Sequence, residues 1–131
     1  MKPYLARVFF AALLVLMVAS CRQAMVYDVD NMVLNAPSTA TMEDVEAAIK
    51  RAGAGLGWQV RFISPGLLEA RLPIRTHLAV TAIRFDTQTF SITYKDSMNL
   101  KYNAGNKTIH SNYVSWVQNL QNAILAEVSS I

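Results

Sequence analysis

The chain has 131 residues, twelve basic and nine acidic side chains, and a single cysteine. That length supports one domain with a modest core, and one cysteine excludes a disulfide framework within the chain. The formal charge of +3 argues little for a nucleic-acid partner, because two of the bases lie in a segment expected to be removed.

That segment comes first. Lys2 and Arg7 make a positive start, and Val8 to Ala19 follows with no charged or polar side chain. A helix spanning a bilayer needs roughly 20 apolar residues, so the run is short for a stable span and fits a secretory signal. Its end is more specific: Val18-Ala19-Ser20-Cys21 resembles a bacterial lipobox. The resemblance implies cleavage between Ser20 and Cys21, a diacylglycerol on the Cys21 thiol and an acyl chain on the new amine. No cofactor beyond this covalent lipid is expected. Arg22 follows the cysteine where an aspartate would favour the inner membrane, so the outer membrane, facing the periplasm, is the expected address. The expected organisation is a signal over residues 1–20, a lipidated cysteine and tether with room for a short edge strand over 21–40, and one domain over 41–131. Without Lys2 and Arg7, ten bases face nine acids, a net +1.

Residues 22–40 hold "MVYDVDNMVL", in which Tyr27, Val29 and Val33 alternate onto one side before Pro37 breaks the pattern. The first firm element is a helix over 42–52. Thr41 is its N-cap, Asp44 sits three residues on, and Met42, Val45, Ala48, Ile49 and Ala52 recur at helical spacing. Gly53 is the expected stop. The glycines of "GAGLGW" follow a helix and precede a strand, the reverse of a phosphate-binding loop, and therefore read as a turn.

Four strands are expected next. Trp58, Val60 and Phe62 alternate with polar residues, as do Leu68, Ala70 and Leu72, with a turn at "SPG" between them. A plain two-residue turn would set Val60 against Arg71. A shift of one residue pairs Val60 with Ala70 and Arg61 with Glu69, so a longer loop or a bulge beside Gly66 is expected. Pro73 should close the second strand. "HLAVTAIRF" alternates poorly, as a central strand covered on both faces would. "FSITYK" alternates cleanly, with Phe90, Ile92 and Tyr94 inward. After the "NAGNK" turn, Ser111 or Asn112 caps a closing helix with an apolar stripe of Val114, Val117, Leu120, Ile124 and Val128. The expected fold is α+β, in the order α-β-β-β-β-α, with two helices on one face of a four-stranded antiparallel sheet.

Chemistry-bearing residues are sparse. His77 and His110 are the only histidines and lack a zinc spacing with any third ligand. Asp96 and Ser97 do not form a hydrolase motif, since no glycine-flanked nucleophile turn is present. Tyr94, Tyr102, Tyr113 and Trp116 read mainly as core. The charge is uneven: residues 22–46 carry one base and five acids, residues 47–110 nine bases and three acids. Neither metal binding nor catalysis is expected.

The stretches "AIKRAGAGLGW", "PGLLEA", "RTHLAV", "SITYKDSMNLKY" and "IHSNYVSWVQNL" resemble a group of small proteobacterial lipoproteins of unknown function, across nearly all of residues 21–131. The resemblance carries no catalytic motif. Two functions remain at this level. One is an interaction module anchored to the membrane and engaging an envelope protein, peptidoglycan or lipid. The other is a small-molecule receptor or hydrolase with a pocket between sheet and helices. Arg75, His77, Lys95, Ser97, Tyr102 and His110 are the candidate surface for either.

Overall fold

The computed structural model describes residues 22–131; the signal segment, Ser20 and Cys21 lie outside the described residues. In chain order the elements are β1 (Gln23–Met25), β2 (Val29–Val33), α1 (Met42–Gly55), β3 (Gln59–Ser64), β4 (Leu67–Ile74), β5 (His77–Phe85), β6 (Thr89–Met98), β7 (Thr108–His110) and α2 (Ser111–Ser129). The α+β class holds, but the sheet has five strands, not four, in the order β2-β6-β5-β4-β3, and β1 pairs with β7 in a separate two-stranded ribbon. Every pairing is antiparallel.

The fifth strand comes from residues 22–40. Val29 is buried and registers with Ile92, as its place in the alternation implies. A bulge then intervenes, with Asn31 at φ 46°. The extra residue flips the side-chain phase, so Met32 turns inward opposite Phe90 while Val33 is left 72% exposed. Alternation read straight through that bulge assigns Val33 to the wrong side.

The β3–β4 pairing takes the expected register, with Val60 opposite Ala70 and Arg61 opposite Glu69. The irregularity is at Ile63, and Ser64 pairs with Leu67 across a two-residue Pro65-Gly66 turn whose glycine has φ 75°. Pro73 does not end β4, since Pro73 and Ile74 still pair with Leu78 and His77. The expectation for β5 is met in part. It is the middle strand, and on the face away from the helices Val80 is buried while Arg84 stays exposed.

The connection from β2 to β3 joins the two edges of the sheet, and α1 makes that crossing. Its 14 residues span about 21 Å, close to the ~19 Å across five strands. The expected capping box is present: the Thr41 hydroxyl accepts from the Asp44 N–H at 3.1 Å and the Asp44 carboxylate accepts from the Thr41 N–H at 2.9 Å. The helix passes through Gly53 and runs to Gly55, and the chain reverses at Gly57, φ 88°. The two helices pack on one another and on the same sheet face. Val45, Ile49, Leu68, Ile83, Phe90, Ile92, Tyr113, Leu120 and Ile124 form the centre of the core.

Candidate functional site

Most of the candidate residues gather where α2 begins. His110 ends β7 and is itself the N-cap of α2, one residue earlier than expected: its Nδ1 accepts from the Asn112 N–H at 3.1 Å. That bond fixes the proton on Nε2. His77 opens β5 with its ring centroid 6.3 Å from that of His110 and 6.4 Å from that of Trp116. Its Nδ1 lies 2.6 Å from the Asn99 carbonyl oxygen, so here Nδ1 donates. The Asn99 amide in turn donates to Thr76 Oγ1 at 2.9 Å, tying the β4–β5 turn to the segment after β6.

A second group follows on the same segment. The rings of Tyr94 and Tyr102 stack at 4.0 Å, and Tyr113 meets Tyr94 edge-on at 5.8 Å. The hydroxyls of Tyr94 and Ser97 are hydrogen-bonded at 2.8 Å. Burial raises the Tyr94 and Tyr113 phenols above their ordinary range. The Tyr113 side chain is fully buried and its hydroxyl has no hydrogen-bond partner among the described residues.

Four of the six candidates, His77, Ser97, Tyr102 and His110, therefore share one end of the molecule. Arg75 joins them in the exposed β4–β5 turn. Lys95 does not; it belongs to the opposite sheet face. Arg75, Asn99, Lys101 and Lys107 all have φ between 53° and 56°, a left-handed backbone that non-glycine residues seldom adopt. Composition gave no sign of that concentration. As for a catalytic role, the Ser97 hydroxyl engages a tyrosine, and both histidines engage backbone groups. Among the described residues no group of three or more His, Cys, Asp or Glu side chains is placed to hold a metal ion.

The gap between sheet and helices is filled in part by residues expected there. Trp58 and Ile92 are buried, Trp116 is half-buried, and Phe62 is 52% exposed on β3. Open hollows lie elsewhere. One is lined by Leu34, Pro37 and Gln88, another by Met42, Gly66 and Arg84.

The face away from the helices carries a separate charge cluster. Glu69 on β4 is only 3% exposed. Its carboxylate accepts from Arg61 at 2.9 Å and Lys95 at 2.5 Å, and Arg71 stands 3.8 Å away. Lys95 reaches it because it lies two residues after Thr93, which registers with Ala82 beside Glu69, and so shares the Glu69 face of the sheet. The hydrogen bonds from Lys95 and then Arg61 hold the Glu69 carboxyl below its ordinary range against the opposing effect of burial. A lowered folded-state value means the stabilisation is complete above the unfolded carboxylate range and is lost as pH falls through the folded value. The three bases are 42% to 66% exposed, so solvent screening limits the gain. Glu69→Gln should cost about 1 kcal/mol at neutral pH. In urea titrations, wild type should lose stability more steeply than Glu69→Gln as pH falls through and below the ordinary carboxylate range. Parallel pH profiles would show that the cluster contributes nothing.

No protein-family model matches the chain, and neither a curated protein nor a solved structure matches it.

Proposed function

We propose that the protein is a lipoprotein of the bacterial envelope, held by lipid on Cys21 at a membrane surface facing the periplasm, with the outer membrane the favoured site. Its domain acts there as a binding module and not as a catalyst. One observation carries the reading: the lipobox cysteine stands immediately before Arg22, where the folded domain begins. The Arg22 carbonyl already accepts a hydrogen bond from the Ser111 N–H at 2.8 Å, and Gln23 already pairs with His110. Among the described residues no helix is long and apolar enough to cross a membrane.

The binding surface is the β3 edge of the sheet. Among the described residues β3 has no strand on its outer side. It exposes Phe62 and Ile63 at 52% and 40%, the condition under which a partner adds a strand through backbone hydrogen bonds. Both edges carry an irregularity, at Ile63 in β3 and between Val29 and Met32 in β2; β2 is the shorter and exposes only Val33 among its apolar side chains. An envelope protein is the expected partner, and peptidoglycan the alternative. A photo-crosslinker at Phe62 or Ile63 in intact envelopes should give one discrete adduct that a crosslinker at the exposed helix position Asn119 does not. Identical or empty patterns from all three positions would refute the edge as the binding surface. A receptor or hydrolase function is the second reading, and the orphan Tyr113 hydroxyl beneath the Tyr94–Tyr102 stack is the feature that favours it.

A further inference from the structure

We infer that the end of the domain where α2 begins lies directly against a bilayer containing anionic phospholipid, so that the protein has one fixed orientation on the membrane. The inference rests on lipidation of Cys21.

Tether length comes first. Consecutive Cα atoms are ~3.8 Å apart, and Cys21 is bonded to Arg22. The Arg22 carbonyl is fixed to Ser111 at the first turn of α2, and Gln23 is in register with His110. No slack chain separates the lipid from the fold. Whatever surface surrounds the Arg22 attachment point must meet the headgroups.

The composition of that surface suits them. His77 links His110 to Trp116 by ring proximity and to Asn99 by hydrogen bond, and Asn99 reaches Thr76. These contacts bring the β4–β5 turn and the segment after β6 to the same end. Exposed there are Ile74, which registers with His77, at 38% and Met98, which registers with Leu78, at 63%; Trp116 is half-buried. Interfacial surfaces combine such apolar and tryptophan side chains with bases. Arg22, Arg75 and Lys101 supply the bases, and all three are exposed. Residues 70–85 and 97–126 contain no acidic residue; the acids nearest this end are Asp28, which accepts from the Tyr94 N–H, and Asp96, which accepts from the Ser97 N–H, so the bases outnumber them three to two.

The far end has the opposite character. β5 runs nine residues from His77 to Phe85, about 30 Å, to the turn holding Asp86. The Asp86 carboxylate accepts from the N–H groups of Gln88 and Thr89 at 2.7 and 2.8 Å and stays ionised well into acid. Leu34 is bonded to Gln88 there, and Met42 at the start of α1 approaches Gly66. Glu43, Asp44 and Glu46 follow in the first turns of α1. A negative bilayer attracts the first end and repels the second.

The test uses the full-length protein, purified with its lipid and reconstituted into vesicles of phosphatidylcholine with phosphatidylglycerol. Intact mass confirms acylation of Cys21 first; a chain without it would refute the lipoprotein reading itself. A fluorophore is then attached to an added cysteine in Ile74→Cys, Met98→Cys or Gln88→Cys, all exposed positions. Spin-labelled lipid should quench emission from positions 74 and 98 and leave position 88 unchanged. Replacing phosphatidylglycerol by phosphatidylcholine should reduce that quenching. For an acylated protein, three results would overturn the inference: no quenching at 74 and 98, equal quenching at 88, or quenching indifferent to anionic lipid.

Discussion

Cys21→Ser should abolish acylation and leave the 131-residue chain uncleaved, whereas the wild-type protein should have the mass of residues 21–131 plus acyl chains. The thiol is the group that takes the diacylglycerol in lipoproteins with this motif, and the serine hydroxyl is a far weaker nucleophile at neutral pH. The expected effect is large because acyl anchoring is steep in chain number. Each buried methylene contributes about 0.8 kcal/mol, one chain binds only marginally, and two or more make release negligible. Retention by itself is a poor readout, since an uncleaved Val8–Ala19 run would still favour the membrane. Intact mass and incorporation of labelled palmitate separate the cases. Normal processing of the variant would refute the lipobox assignment and, with it, the proposed location.

The parts of the fold that sequence made legible are those in which one periodicity runs undisturbed. The cap at Thr41, the inward row Phe90, Ile92 and Tyr94, and the α2 stripe need only local rules. The β3–β4 register was legible for a different reason. Only one alignment pairs Arg61 with Glu69 and keeps apolar side chains together. The rest depended on partners distant in the chain. β1 is three residues long and exists because β7 and α2 are beside it. The strand character of β2 is masked by Asp30 and by the Asn31 bulge. At the candidate end, the histidines and tyrosines could be named from composition. What brings them together is a hydrogen bond from His77 to the Asn99 backbone and a cap formed by His110. Histidine is an unusual N-cap beside serine and asparagine, so local preference pointed one or two residues too far along. Lys95 follows Thr93 in the outward row of β6, so alternation alone places it on the face of Glu69; the register shift between Val80 and Thr81 acts on Ser97 instead, turning it to the side of Tyr94.

Gly53→Ala should destabilise the domain, and Gly55→Ala, the same change two residues along the same helix, should not. On intrinsic preference alone, alanine gains up to ~1 kcal/mol over glycine within a helix. At Gly55 a Cβ has open space around it, so that gain should appear, reduced by fraying at the last helical residue. At Gly53 a Cβ would come within 2.5 Å of Val60 Cγ2 and 3.4 Å of Trp58 Cβ. The valine rotamer is stiff, and Trp58 is buried against the core, so relief requires α1 and β3 to separate. Overpacking of this kind costs about 1–3 kcal/mol; set against a propensity gain of up to ~1 kcal/mol, it leaves a net loss of up to ~2 kcal/mol. Urea denaturation of both variants measures the difference, and Gly53→Ala with Val60→Ala should lose less than the two single changes summed, because the added methyl occupies the removed one's space. Stabilisation by Gly53→Ala alone would mean that Val60 rotates away without cost. The glycine matters beyond stability, because β3 is the unpaired edge that displays Phe62 and Ile63. The close helix contact at Gly53 fixes how that edge is presented, so the variant should also weaken crosslinking from Phe62 at temperatures where the domain remains folded.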